Sequence, residues 1–192
     1  MGLMCAYELL QQGQDVTLLE RDDRIGGMSA SFDFEGTKIE RYYHFICKTD
    51  SAYLRILKDL DLEDKLRWQD TRMGFYCKGK LHEWGTPFAL LKFPHLNLIQ
   101  KLRYGLHALY ATKIKDWRAL DKVGVTDWIV KWEGQSTYDL LWHSLFHYKF
   151  YQYQHDLSAS WLGTRIQRVG LSRRNIFQER LGYLEGGSDT LL

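Results

Sequence analysis

Apolar and polar positions recur along this chain with two different periods, and the change from one to the other outlines its elements. Near the start, Leu3, Ala6, Tyr7 and Leu10 fall at helical spacing and make one apolar face, which Gly13 closes. Asp15 then leads into Val16-Thr17-Leu18-Leu19, an unbroken apolar run of strand length that ends at Glu20. A strand buried between helices reads this way. A doubly wound sheet built on that helix–strand unit begins with a further strand, expected before Met1. Alternation takes over next. Ser31-Phe32-Asp33-Phe34 and Thr37-Lys38-Ile39-Glu40 flank Glu35-Gly36 and predict a hairpin. A second hairpin is predicted from Met73-Gly74-Phe75-Tyr76-Cys77 and Leu81-His82-Glu83-Trp84 around Lys78-Gly79-Lys80. Between the two, Asp50 and Ser51 cap a helix over 52–60 that carries Leu54, Leu57 and Leu60. After Pro87 and Pro94 the period is helical. Leu96, Ile99, Leu102, Leu106 and Leu109 recur at helix intervals, a helix begins near Val125 with Thr126 as its cap, and Gly134 ends it.

Composition narrows the class. The 192 residues are 45% hydrophobic with only two prolines, enough to bury a core in one domain or in a domain and part of a second. Seven Trp, twelve Tyr and nine Phe make aromatic packing the expected style of that core. A net charge of +2 says little about partners. Arg165, Arg168, Arg173 and Arg174 make a basic patch without a recognition module, so nucleic acid is not an expected partner. Cys5, Cys47 and Cys77 are scattered, form no CxxC, and fit a reducing, cytoplasmic setting. The N-terminal run lacks a basic leader and is broken by Glu8, Gln11, Gln12 and Asp15, so a signal peptide is not expected. No apolar stretch reaches spanning length.

The early unit is where chemistry is expected. Binding a dinucleotide takes glycines that let the backbone approach the pyrophosphate, helix N-terminal amides to meet its charge, and an acid after the second strand for the ribose hydroxyls. Gly2 stands where the last glycine of that set lets helix and strand pack closely. Glu20 follows 18 residues later, near the expected spacing of about 20. Arg24-Ile25-Gly26-Gly27 comes directly after, and a glycine pair permits close backbone approach and positive φ.

The stretch GLMCAYELLQQGQDVTLLERDDRIGG resembles the opening of the flavin-dependent amine oxidase, phytoene desaturase and protoporphyrinogen oxidase superfamily. The pattern there is GxGxxG, helix, strand, Glu, then a basic residue and GG. By that resemblance Glu20 holds the adenosine ribose of FAD, and Arg21, Arg24, Gly26, Gly27 and Met28 belong to the segment along the cofactor. Met28 takes a place that many members fill with Arg. Arg41-Tyr42-Tyr43-His44-Phe45-Ile46 is similar to an aromatic–His segment that approaches the flavin ring, which would put His44 beside the ring or the substrate entrance. Ser158-Ala159-Ser160-Trp161-Leu162-Gly163-Thr164-Arg165 resembles a helix of the cap domain, and Leu181-Gly182-Tyr183-Leu184-Glu185-Gly186-Gly187 resembles the turn that returns the chain toward the flavin.

Other constellations carry less. His82 and Glu83 are strand neighbours and point to opposite faces. His143 and His147 sit four apart without HExxH and without a third ligand, so no metal is expected. Lys101, Arg103, Lys113 and Lys115 give the first long helix a basic surface of the kind that lies on acidic membranes. Asp116 and Asp121 interrupt it, and a solvated face is the preferred expectation, with peripheral membrane contact as the alternative.

The expected fold is α/β, a partial Rossmann-like FAD-binding domain with its first strand missing and an inserted α+β, largely helical substrate or cap domain. Expected boundaries are 1–50 for the FAD side, 51–180 for the cap, and 181–192 for the return segment. The resemblance implies an FAD-dependent oxidoreductase that oxidises or desaturates an apolar or amine-bearing small molecule by hydride transfer to flavin. Two alternatives stand beside it: a flavin isomerase similar to UDP-galactopyranose mutase, and a truncated chain without cofactor or activity. No catalytic acid–base pair is apparent.

Overall fold

Elements in a computed structural model covering residues 1–192 run α1 (Gly2–Gln11), β1 (Ser31–Phe34), β2 (Thr37–Glu40), α2 (Ser51–Asp59), β3 (Leu66–Thr71), β4 (Met73–Cys77), β5 (Lys80–Trp84), α3 (Pro87–Lys92), α4 (Leu98–Lys113), α5 (Arg118–Asp121), α6 (Val125–Glu133), α7 (Gln135–Leu141), α8 (His143–Phe150), α9 (Ala159–Leu171) and β6 (Glu179–Leu184). The strands form three separate two-stranded pairs, β1–β2, β3–β6 and β4–β5. The chain divides into two compact units. The first holds Met1–Ile46, Ser51–Trp68 and Gly182–Leu192, and the second holds Cys47–Asp50 and Gln69–Leu181.

In the first unit, α1 forms where its apolar spacing predicts and ends before Gly13, which takes φ +74°. The following segment departs from expectation. Val16–Leu19 is not part of any strand, and Leu19 is 90% exposed. A strand is defined by a ladder with a neighbour, and no segment of the chain runs beside this one to complete it. The β1–β2 hairpin forms in the expected register, from Ser31 opposite Glu40 to Phe34 opposite Thr37. Its turn residues Glu35 and Gly36 both have positive φ, the two-residue geometry that matches strand twist. The unit's small core is Ile46, Leu57 and Leu184, with Tyr53, Leu54, Leu62, Leu66, Trp68 and Leu191 around it. Gly182 lies within this core. Ile46 and Gly182 exchange backbone hydrogen bonds of 2.8 and 2.7 Å. A Cβ on Gly182 would stand 3.2 Å from each of Ile46, Leu66 and Trp68.

In the second unit, the β4–β5 hairpin pairs Met73 with Trp84 through Cys77 with Lys80, turning at Lys78 and Gly79, again with both φ positive. Phe93 is fully buried beneath it, with the rings of Phe75, His82, Trp84 and His95 presented edge-on at centroid distances of 5.1–5.7 Å. The larger core joins Ala111 of α4, Val125, Trp128 and Ile129 of α6, Tyr138 of α7, Phe146 of α8, and Ala159 and Leu162 of α9. Gly163 of α9 lies so close under the Trp117 ring that a methyl group there would overlap it.

One cap differs from its sequence expectation. Gly124, not Thr126, occupies the N-cap of α6, and the Thr126 hydroxyl donates to the Tyr138 hydroxyl at 3.2 Å instead. Asn97 and Gln100 make a reciprocal capping box on α4. The α4 helix also presents an unexpected side. Its buried residues are His107 and Ala111, whereas Ile99, Leu102, Leu106 and Leu109 of the series that predicts the helix lie on its exposed side, and Leu96, which precedes the helix, is buried.

Candidate cofactor site

The first unit gathers the residues that the early sequence pattern singles out. Leu18 packs against the start of α1: a Cβ on Gly2 would stand 3.2 Å from Leu18 Cδ1, so the hydrogen of glycine permits the approach. No side chain caps the first turn of α1. Its free N–H groups therefore lie beside the segment that ends at Glu20, an arrangement favourable to an anion. Glu20 is exposed, and its Oε1 accepts the Asp22 N–H at 2.9 Å.

The next turn is ordered by charge. Arg24 grips Asp23 through Nε and Nη2 at 2.8 and 3.0 Å, and that pairing, with the Asp22 contact, holds the Asp23 carboxyl at about 2. Arg24 Nη1 donates to the Ser31 carbonyl at 2.9 Å, while Asp22 pairs with Arg41. Gly26 takes φ +108°, and a Cβ there would run into Leu192 and the Ala30 backbone. Gly27 takes φ +58° with nothing within 4 Å of the Cβ position, so its backbone faces open space. Arg21 and Met28 are exposed. The positive φ that a glycine pair permits is present at both residues.

A second glycine turn lies in the same unit. Gly186 and Gly187 have φ +84° and +71° and lead into a short 3-10 turn over Gly187–Thr190. Glu40, the last residue of β2, holds this turn: its Oε1 accepts the Ser188 N–H at 2.6 Å, and a Cβ on Gly187 would be 3.4 Å from that oxygen. Glu40 Oε2 is 3.4 Å from His44 Nδ1. Burial pushes the Glu40 carboxyl up, but Ser188 and His44 outweigh it and hold the carboxyl below its ordinary value. Asp189 Oδ2 accepts from Ser31 Oγ at 2.6 Å and Lys38 Nζ at 2.9 Å, and those two donors hold its carboxyl low. Both glycine turns are thus tied to one hairpin, the first through Arg24 and Ser31, the second through Glu40, Ser31 and Lys38.

The sequence reading named Gly2, Glu20, Arg21, Arg24, Gly26, Gly27, Met28 and His44 and passed over Glu40 and Asp189. The available signal was Glu40 four residues before His44, and Asp189 two residues after the second glycine pair.

The second unit contains an open recess of about 270 Å3 lined by Thr49, Asp50, Thr164, Arg165, Gln167, Arg168 and Leu171. Arg168 takes the ion pair here: its Nε and Nη2 meet the two Asp50 oxygens at 2.7 and 2.6 Å, while the Cys47 N–H donates to Asp50 at 2.8 Å. Burial raises the Asp50 carboxyl, and these donors more than reverse it. Deep in the helical core, His107 Nδ1 and Glu133 Oε1 are 2.7 Å apart, and Trp142 Nε1 donates to Glu133 Oε2 at 2.8 Å. Trp128 meets the His107 ring edge-on at 4.1 Å and Trp132 stacks on it at 5.4 Å. This trio joins α4, α6 and the start of α8, with His107 and Glu133 buried and Trp142 partly buried.

Residues 2–192 match the family model described as flavin containing amine oxidoreductase. The 15-cis-phytoene desaturase of Synechococcus elongatus is 26% identical over 149 residues, covering 68% of this chain and 31% of that protein. The chain therefore spans about a third of the length of this curated relative. Among solved structures, wild-type putrescine oxidase bound to putrescine superposes with a TM-score of 0.61 at 17% identity, covering 98% of this chain and 44% of the other. A triple mutant of that oxidase gives a TM-score of 0.62 over the same shares. At such identity these structures speak to the fold alone, a mixed α/β fold like that of the flavin-dependent amine oxidases.

Proposed function

Because the chain belongs to the flavin-containing amine oxidoreductase family, we propose that its first unit is the FAD side of an oxidoreductase acting on an apolar or amine-bearing small molecule. The observation that carries this reading is the approach of Leu18 to Gly2, which brings the uncapped start of α1 beside the segment ending in Glu20. In it, the α1 amides meet the cofactor's pyrophosphate, Glu20 accepts hydrogen bonds from the adenosine ribose, and the open backbone at Gly27 lies along the cofactor. The residues fit: a free helix start, an exposed carboxylate and a glycine with empty space where a Cβ would be. Bound flavin supplies the hydride acceptor. The chain's own groups orient it. Arg24 stays committed to Asp23 and Ser31 and keeps the Gly26–Gly27 turn in shape, and Glu40 orients the His44 imidazole through Nδ1.

The helical second unit, with β4–β5, serves as the substrate side in this reading, and the partial Rossmann-like identity of the first unit belongs to the same proposal. Relatives named for phytoene desaturase and for monoamine oxidase, each 26% identical, support an apolar or amine-bearing substrate class. A sugar-nucleotide isomerase reading finds no such support.

The test is an FAD titration of the chain and of Glu20→Ala, followed by tryptophan quenching and by the visible absorbance of bound flavin after gel filtration. Loss of the ribose acceptor weakens binding by about 1–3 kcal/mol. Equal affinity in the two proteins removes Glu20 from the site.

A further inference from the structure

Indole and phenol rings run through the interior of the helical unit in a continuous series. The Tyr104 ring lies 5.6 Å from Trp84 and 6.4 Å from Trp142, stacked on the latter at 24°. Trp142 Nε1 donates to Glu133 Oε2 at 2.8 Å, and the other oxygen of that carboxylate is 2.7 Å from His107 Nδ1. His107 stacks on Trp132 at 5.4 Å and 7°, and Trp132 stacks on Tyr110 at 4.7 Å and 27°. Each of these ring separations is ordinary for an aromatic pair, about 4.5–7 Å. Their continuity is not: from Trp84 to Tyr110 every link is a ring contact or a hydrogen bond. All of these residues belong to the second unit.

Indole and phenol are among the side chains that give up a single electron most readily, and the radical that results is stabilised when a base takes the proton. Glu133 is that base for Trp142. Its oxygen is within proton-transfer reach of the indole N–H, and at 2% exposure water does not compete for it. Tyr104 is not a stopping point: burial and the nearby Glu133 carboxylate push its phenol well above the ordinary value, so it keeps its proton. Tyr110 is one, because at 42% exposure its phenol can release a proton to water. A phenol that can do so yields an electron more easily than an indole, and the series therefore runs downhill toward Tyr110.

We propose that Trp142, Trp132 and Tyr110, with Glu133 as proton acceptor, form a relay that carries an oxidising equivalent out of the helical core. The oxidant is of the oxygen-radical class and takes one electron from Trp142. The Nε1–H bond breaks, its proton passes to Glu133 Oε2, and a neutral indolyl radical remains. An electron from Tyr110 then refills Trp142 by way of Trp132, the proton returns from Glu133 to Nε1, and the phenol proton leaves to water. The net change is one electron and one proton lost from Tyr110 and one electron gained by the oxidant, with both tryptophans as they began. This goes beyond the flavin assignment and stands or falls separately from it.

The experiment is pulse radiolysis of the chain with the azide radical, a one-electron oxidant selective for indole, followed by spin trapping and peptide mapping. Indolyl absorbance decays as phenoxyl absorbance grows, at a single rate that does not depend on protein concentration. The trap labels Tyr110 ahead of Tyr43, Tyr76 and Tyr148, although those three are 71–76% exposed and lie more open to direct attack. Tyr110→Phe keeps the ring, loses most of the phenoxyl growth and leaves the indolyl radical to persist. Trp132→Phe also keeps a ring and loses the Tyr110 label. An unchanged far-ultraviolet circular dichroism spectrum verifies the fold of each variant, and the labelling of the parent chain decides alone if a variant unfolds. Three results would overturn the proposal: labels distributed by exposure, phenoxyl growth that quickens with protein concentration, or growth untouched by both replacements.

Discussion

The two units hold themselves together by different means. In the helical unit, one stretch of chain folds back on itself, and large side chains from α4, α6, α7, α8 and α9 meet in a dry interior whose polar members, His107, Glu133 and Trp142, bond to one another. In the first unit, three stretches distant in sequence meet around a much smaller apolar centre. Much of their order comes from polar links near the surface: Glu40 to Ser188, Asp189 to Ser31 and Lys38, and Arg67 Nη2 to Glu185 at 2.6 Å. Apolar burial is worth about 25 cal/mol per Å2, while exposed ion pairs contribute about 0–1 kcal/mol each. The helical unit is therefore the stable half, and the unit that carries the candidate cofactor site is the adaptable one.

The contrast is broken or sharpened by four measurements. Phe146→Ala removes a fully buried ring from the helical core and is expected to cost about 3–5 kcal/mol in urea unfolding; a loss no larger than that of an exposed residue would deny this core its role. Trp142→Phe leaves Glu133 Oε2 without its donor in a buried setting, at a cost of about 1–3 kcal/mol, and the change should appear in the same unfolding transition. Gly187→Ala places a side chain at φ +71° and against Glu40. Its cost of about 1–2 kcal/mol should fall on the first unit. Amide exchange would show it as faster exchange at Gly182–Leu192, with α6 and α9 unchanged. The smallest effect concerns pH. Asp50 titrates below its ordinary value in the folded chain, since Arg168 and the Cys47 amide outweigh burial. Its contribution is therefore complete above the unfolded value of about 3.9 and is lost as pH falls through the lower folded value. Asp50→Asn should flatten the acid limb of the stability profile there; an unchanged limb would show that the ion pair adds nothing.

Local chemistry was legible in the sequence and remote geometry was not. Both hairpins follow from two-residue turns ending in glycine, and the α9 start follows from Ser158, whose hydroxyl accepts the Trp161 N–H at 3.3 Å. These depend on neighbours a few residues away. Val16–Leu19 has the composition of a buried strand, yet a ladder needs a second segment that no local pattern can supply. The leucine period of α4 located the helix but not its inward side, because that side is chosen by Tyr104, His107 and Ala111, the last two meeting α6 and the helical core. At the candidate site, the glycines and Glu20 were readable as a motif. Glu40 and Asp189 were not, since their partners lie 148 and 158 residues away along the chain.

One carboxylate in the first unit has two dependents. Glu40 steadies the Ser188 turn with one oxygen and faces the imidazole of His44 with the other. Whatever loosens the turn alters the company His44 keeps, and by thermodynamic reciprocity whatever loads that imidazole with a proton or a ligand must alter how firmly the turn sits. The far end of the chain is in this way made an informant on events at residue 44.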